Sequence, residues 1–260
     1  MVIRVQHTRN AASIFGDWQE TLIWSCLQDI MGDIYADDEE NPSSALALLG
    51  DFRFFAGEPN PELVTFRPNE TIPEFVILIP QNADWARTIE RQYGGAAKRI
   101  TRYALKKEPD SFDIDRLRKL AVHVSPEYSL RMVDEKLYGL CGSEAWCKDL
   151  VSQYPDYDTY RHLGLGVVAV HQGKIVSGAS SYASYRNGIE IEIDTREDYR
   201  RKGLATACGA KLILECLDKG LYPSWDAHTE ESLALARKLG YTFDREYTAY
   251  ELSATGNESP

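Results

Sequence analysis

The chain has 260 residues, 43% of them hydrophobic and 27% charged, with 29 Lys plus Arg against 40 Asp plus Glu for a formal net charge of −11. That length suits two units, or one domain with a large extension, and the composition is that of an ordinary soluble globular protein. The acidic balance argues against nucleic acid as the main partner, because phosphate backbones need a basic surface, and it suits a cationic amine drawn in over distance.

There is no run of about eighteen apolar residues to span a bilayer, so no membrane partner is expected. Met1–His7 lacks the apolar core of a secretory signal. Cys26, Cys141, Cys147, Cys208 and Cys216 are odd in number and scattered, with neither a disulfide framework nor a zinc spacing. A cytoplasmic protein without a metal is the expectation.

The N-terminal half reads as a mixed α/β region. Trp18 to Ile34 has the apolar spacing of an amphipathic helix, and Ser44 to Phe55 reads as two short strands around Gly50-Asp51. Phe75 to Ile79 is a buried strand, Ala83 to Gln92 a helix, and Ala97 to Lys106 a further strand. The polar, proline-containing stretch Glu108-Pro109-Asp110-Ser111 marks a boundary, giving an N-terminal domain over 1–112 and a second over 113–252. Residues 253–260 are small and polar, as in a frayed tail.

In the second domain, Lys119 to Val124 reads as a first strand, followed by helices over Ser129–Leu140 and Ser143–Tyr154. Gly164 to His171 is an apolar strand turning at Gln172-Gly173 into a second strand, Lys174 to Arg186. Asn187-Gly188 is a type I′ hairpin signal. The next strand alternates isoleucine with carboxylate, so that Ile189, Ile191 and Ile193 share one face and Glu190, Glu192 and Asp194 the other. Three carboxylates on one face raise each other's proton affinity, which suits a base working near neutral pH.

That strand leads through Thr195 into Arg200-Arg201-Lys202-Gly203-Leu204-Ala205-Thr206. A basic turn with a glycine at a helix start gathers backbone N–H groups, the positive helix end and three cations, as a phosphate site does. The helix continues with Ala205, Cys208, Gly209, Leu212, Ile213, Cys216 and Leu217 on its apolar face, the cysteines reading as core, and Gly220 stops it. Tyr222 to Ala227 is a short strand. Thr229 can cap a helix with Glu230 and Glu231 in its first turn, and Gly240 ends it. Tyr241 to Leu252 can supply a last hairpin.

The run Tyr199-Arg200-Arg201-Lys202-Gly203-Leu204-Ala205 resembles the acetyl-CoA signature of the GNAT N-acetyltransferase superfamily, Arg/Gln-x-x-Gly-x-Gly/Ala, with Arg200, Gly203 and Ala205 at its defined positions. A second block, Ser232 to Tyr241 with Lys238-Leu239-Gly240-Tyr241, is similar to the family's later helix ending in Lys-x-Gly-Phe/Tyr. The likeness covers about residues 120 to 252 and points to a bacterial branch with an extra N-terminal domain. It implies an α/β fold with a mixed, mostly antiparallel central sheet flanked by helices.

The resemblance further implies that acetyl-CoA is the co-substrate of an acyltransferase. The amides of Arg201 through Ala205 would hold its pyrophosphate, Thr195 would lie along its pantetheine arm with its N–H near the thioester oxygen, and Arg200, Thr206 and Ser232 would complete the contacts. The acetyl group would pass to a small-molecule primary amine by direct attack in a ternary complex. Glu190 is the first choice of base, then Glu192 and Asp194. The family's usual tyrosine acid is replaced by Ala236 and its asparagine by Thr229, so Tyr241, Tyr247 or a water could protonate the thiolate; His228 is a minor candidate. The missing acid keeps an acetyl-CoA-binding regulatory module open as an alternative. The order of elements in the first domain suggests a degenerate second copy. It has no basic glycine turn after Ile79, hence no cofactor of its own, and would supply part of the acceptor pocket or a homodimer surface.

Overall fold

The computed structural model describes residues 1–68 and 75–253, so of the expected tail only Ser253 falls within it. These residues divide into two compact units: Met1–Arg102 joined by the chain from Glu246 on, and Tyr103–Arg245.

The first unit runs β1 (Ile3–Arg4), α1 (Arg9–Phe15), α2 (Thr21–Leu27), β2 (Asp33–Ala36), β3 (Ser44–Leu49), β4 (Phe52–Gly57), α3 (Pro61–Thr65), β5 (Phe75–Pro80), α4 (Ala83–Tyr93) and the start of β6 (Ala97–Leu105). The single helix expected over Trp18–Ile34 is corrected. Asp29 and Gly32 take positive φ values of 54° and 77°, and the chain reverses into β2, which pairs antiparallel with β3 from Asp33↔Leu48 to Ala36↔Ala45. Strand pairing here overrides the helical apolar spacing, as tertiary contacts commonly do. β4 is antiparallel to β3 and parallel to β5. Trp85 and Ile89 of α4 and Leu63 and Val64 of α3 pack on Leu46, Phe55, Val76, Leu78 and Tyr250 to form the core. Asn82 caps α4 by accepting from the Asp84 and Trp85 N–H groups.

The second unit contains α5 (Ile114–Val122), β7 (Tyr128–Met132), α6 (Glu135–Ser143), α7 (Tyr157–Leu163), β8 (Gly166–His171), β9 (Lys174–Tyr185), β10 (Gly188–Thr195), α8 (Leu204–Asp218), β11 (Tyr222–Ser224), β12 (Asp226–Ala227), α9 (Glu230–Leu239) and the start of β13 (Phe243–Ser253). Its sheet has the order β11-β10-β9-β8-β7, antiparallel except for β10 with β11. The end of β13 belongs to the first unit, where Tyr250 to Ser253 pair antiparallel with Leu78 to Phe75 of β5.

Several local readings are corrected, among them the last hairpin over Tyr241–Leu252, where the single strand β13 forms. Lys119–Val124 lies in and just beyond α5, because Asp113 accepts from the Arg116 N–H at 2.9 Å and starts a helix whose Leu117 is buried. A short apolar run fits helix and strand alike, and the cap decided. The first strand is instead β7, which overlaps the start of the span read as helix, and Asp134 starts α6 after it by accepting from the Leu137 N–H. Over Ser143–Tyr154 only a single 3-10 turn forms, Lys148–Leu150, with α7 beginning after Asp156. The type I′ turn falls at Gln172 (φ 49°) and Gly173 (φ 77°), whereas in the next hairpin only Asn187 (φ 70°) is left-handed.

Both units show one sequence of elements. Three antiparallel strands, β2-β3-β4 or β8-β9-β10, lead to a helix, α3 or α8. A strand parallel to the third, β5 or β11, then leads to a side-chain-capped helix, α4 or α9. The turn in the first unit that matches the basic turn of the second is therefore the one after β4, not the one after Ile79.

Candidate active site

β10 is paired with β9 along its whole length, from Gly188↔Tyr185 to Thr195↔Ser177, but β11 covers only Gly188, Ile189 and Glu190. Beyond Glu190 β10 and β11 part as a fork, and no strand among the described residues pairs with the far edge of β10. Alternation tells which groups face that edge. The Asn187 carbonyl accepts from the Tyr222 N–H at 2.8 Å on the β11 side, and the Arg196 N–H donates to Val176 at 3.1 Å on the β9 side. Successive peptide groups point to opposite edges, so Ile191, Ile193 and Thr195 direct their backbone groups to the open edge. The Ile193 N–H donates to the Glu192 Oε1 at 3.2 Å, and the Thr195 carbonyl accepts from the Arg200 Nε at 3.4 Å.

The side chains divide as the alternation requires. Ile189 and Ile191 join Cys208, Leu212 and Ile213 of α8 in the core, and Ile193 packs against it. The carboxylates take the opposite face. Glu190 is 9% exposed at the apex of the fork. Its charge helps hold the phenols of the buried Tyr185 and Tyr241 and the half-buried Tyr222 above their ordinary range, after burial itself. Glu192 and Asp194 are half-buried. Burial, and then the charge of Asp149, push Asp194 from the ordinary 3.8 up to about 6 against the opposing pull of Arg200. The sequence offered no route to Asp149, which reaches this face from the 3-10 turn.

After Thr195 the chain makes a 3-10 turn, Glu197–Tyr199, and reaches the start of α8 with Arg201 (φ 62°) and Gly203 (φ 80°) both left-handed. A non-glycine residue held there costs about 1–2 kcal/mol, so the arginine is kept in place by its surroundings. Backbone that alternates between right- and left-handed residues turns successive N–H groups to one side, which makes an anion-binding concavity. Gly203 is the N-cap of α8, and no side chain caps this helix. The first helical bond runs from the Ala207 N–H to the Gly203 carbonyl at 3.0 Å, leaving the Leu204, Ala205 and Thr206 N–H groups pointing out of the helix start. A Cβ on Gly203 would find only the His123 carbonyl, at 4.0 Å. The space is therefore open, and it is the φ angle and the approach of a ligand that call for glycine. Arg200, Arg201 and Lys202 are exposed around it; Leu204 and Thr206 are buried and Ala205 half-buried.

The remaining candidates fall elsewhere. The Tyr241 hydroxyl donates to the Pro223 carbonyl at 2.6 Å, and burial, with Tyr222, Cys216, Glu190 and Tyr185 nearby, holds it well above the usual phenol range. That geometry ties Tyr241 to the β11 backbone. Ser232 sits in the first turn of α9 and donates its N–H to the Thr229 Oγ1 at 3.1 Å, so Thr229 acts as the expected cap. Tyr247 belongs to the first unit, where its hydroxyl accepts from the Arg102 Nε at 3.2 Å. Sequence reasoning also passed over the Ile193 N–H, because how far β11 extends along β10 cannot be read from β10 itself.

A helix start with outward N–H groups and three neighbouring cations thus follows a strand edge that β11 does not cover. The family model described as GNAT acetyltransferase matches residues 12–250. A Bacillus subtilis (strain 168) protein named as the uncharacterized N-acetyltransferase YdfB is 27% identical over 255 residues, covering 88% of this chain and 89% of its own. A crystal structure of a GCN5-related N-acetyltransferase-like protein from Streptococcus suis 89/1591 is 52% identical with a TM-score of 0.89, covering 94% of this chain and 98% of that one. The fold is also that of a GCN5-related glucosamine N-acetyltransferase region in a fungal multi-domain GH3 β-N-acetylglucosaminidase, at 11% identity and a TM-score of 0.60 over 97% of this chain and 38% of that one. The chain belongs to the GNAT acetyltransferase family, and is an acyltransferase of the kind that uses acetyl-CoA as co-substrate. No helix among the described residues is long and apolar enough to cross a membrane.

Proposed function

We propose that this protein moves an acetyl group from acetyl-CoA to the primary amine of a small molecule, by direct attack with both substrates bound. The observation that carries the reading is the pairing of two features on one continuous stretch: the open edge of β10 at Ile193 and Thr195, and the uncapped N-terminus of α8. The N–H groups of Arg201 through Thr206 fit a pyrophosphate, helped by the Arg200, Arg201 and Lys202 charges. The Thr195 backbone fits an amide of the pantetheine arm. The Ile193 N–H, two residues nearer the fork apex, fits the thioester carbonyl; this refines the expectation that Thr195 would serve there. Acetyl-CoA supplies an activated carbonyl with a thiolate leaving group. As the C–N bond forms and the C–S bond breaks, one amine proton must leave and the thiolate must gain one.

The base comes from the carboxylate face, with Glu190 first by its place at the apex, then Glu192 beside it, and then Asp194, which burial and the Asp149 charge raise to about 6. Loss of the operative base costs about 10²–10⁴-fold at neutral pH, and raising the pH returns part of it. The first unit is read as a degenerate copy without a cofactor. Its matching turn carries Glu58 and Pro59, and the short α3 after it is capped by the Asn60 side chain accepting from the Glu62 N–H.

Titration calorimetry with coenzyme A tests the donor site: Gly203→Glu places bulk and negative charge at the phosphates and should abolish binding. Equal affinity in both proteins would move the site elsewhere. One observation favours a second reading, an acetyl-CoA-binding regulatory module: the hydroxyl of Tyr241 is already committed to Pro223. Binding without turnover across polyamines, amino sugars and amino-acid-like amines would favour that alternative.

A further inference from the structure

Tyr199 stands immediately before the basic turn. Its ring carries the Lys202 Nζ at 4.4 Å from the centroid and the Arg196 guanidinium carbon at 5.0 Å. The two cations differ in their other partners. Arg196 is held by Asp198 through two hydrogen bonds, of 2.7 and 2.6 Å. Lys202 lies within the phosphate turn and adjoins Gly203, the N-cap of α8. An exposed lysine ordinarily samples many rotamers, and ordering it on binding costs free energy. A ring face beneath the ammonium removes part of that cost beforehand.

The ring is itself anchored. Its hydroxyl is 3.0 Å from the His171 Nδ1, and the His171 Nε2 lies 3.3 Å from a Glu127 carboxylate oxygen. Tyr128 packs edge-on to Tyr199 with centroids 6.3 Å apart, and on His171 at 5.1 Å. Tyr128 and His171 are register partners across β7 and β8, so the anchor is built into the sheet. A surface tyrosine that only filled space would need neither the histidine nor the acid behind it.

We infer that Tyr199 is a positioning residue for the donor's phosphates: fixed from behind by His171 and Glu127, it holds Lys202 at the rim of the cradle. This rests on the reading of Arg200–Thr206 as the donor's phosphate site. The role is selective by construction. It affects binding of a donor that carries phosphates and leaves the acyl-transfer step alone.

The test is a double-mutant cycle on the full chain, pairing Tyr199→Leu with Lys202→Met and reading affinity for coenzyme A and for pantetheine, which has no pyrophosphate. Tyr199→Leu should weaken coenzyme A binding by about three- to tenfold, as expected for loss of a cation–π support. Pantetheine affinity and kcat at saturating acetyl-CoA should be unchanged, and Tyr199→Phe, which keeps the ring but gives up the His171 hydrogen bond, should recover only part of the loss. In the Lys202→Met background Tyr199→Leu should have no further effect, because the partner it acts through is gone. Equal weakening of pantetheine, or effects of the two changes that simply multiply, would overturn the inference. If Tyr199→Leu does not fold, His171→Gln takes its place in the cycle, with the same selective loss expected and the same two results against it. Failure of the donor site itself would look different: coenzyme A would not bind the unaltered protein, or Gly203→Glu would leave its affinity intact.

Discussion

The surroundings of Asp194 predict a change in stability whose sign depends on pH. Folding raises this acid from the ordinary 3.8 to about 6, first by burial and then by the Asp149 charge. A raised acid means that the fold favours the protonated form. The stabilising contribution is full below the ordinary value and is lost as pH rises through about 6. One pKa unit corresponds to about 1.4 kcal/mol, so the ionised carboxylate costs the fold at most about 3 kcal/mol at pH 8. Water reaches this half-buried group, and the effective figure is about 1–2 kcal/mol. Asp194→Asn keeps the shape and removes the charge. It should leave stability nearly unchanged at pH 4 and raise it by about 1–2 kcal/mol at pH 8, about 4 °C in a domain of this size. Thermal or urea unfolding of both proteins across that range reads the difference, with the other titrating groups cancelling between them. The gain should shrink in an Asp149→Asn background, where part of the repulsion is already absent. An equal effect at pH 4 and pH 8, or a loss at pH 8, would refute the reasoning.

Two further changes probe the frame around the site. Gly209 lies within α8, where a Cβ would come to 2.8 Å from Leu239 Cδ1 and 3.1 Å from Ile193 Cδ1. Gly209→Ala should therefore lose about 1 kcal/mol net, although alanine is intrinsically the better helix former by about 1 kcal/mol; a rise in stability on urea unfolding would show that the packing gives way freely. Thr229→Ala removes the cap on Ser232 N–H and should cost about 1 kcal/mol by the same measurement. No change would mean that a solvent molecule caps α9 equally well.

Much of the site was legible because its signals are local. The isoleucine–carboxylate alternation of β10 is set by side-chain chemistry and the two-residue period of a strand. The start of α8 at Leu204, after a glycine with positive φ, follows from residues within a few positions of one another. Caps at Asn82 and Thr229 are local in the same way. Where local signals were balanced, as over Lys119–Val124 and Tyr128–Met132, the apolar run fitted either period, and only a cap at Asp113 and a partner strand in β8 decided between them.

What the tertiary structure alone decided is everything that depends on where a partner stops. β11 leaves β10 after Glu190, and that departure turns an ordinary strand into one with an open edge at Ile193 and Thr195. The acidity of Asp194 depends on burial that no local pattern encodes and on Asp149, forty-five positions earlier. Likewise the hydroxyl of Tyr241, a reasonable acid by its place in the chain, is spent on Pro223 because α9 delivers it to the back of β11. Local pattern set which groups stand on which face and where the basic glycine turn lies. Pairing between distant strands determined which of those groups remain open to a ligand, because a hydrogen-bonding edge is available only where no neighbouring strand has taken it.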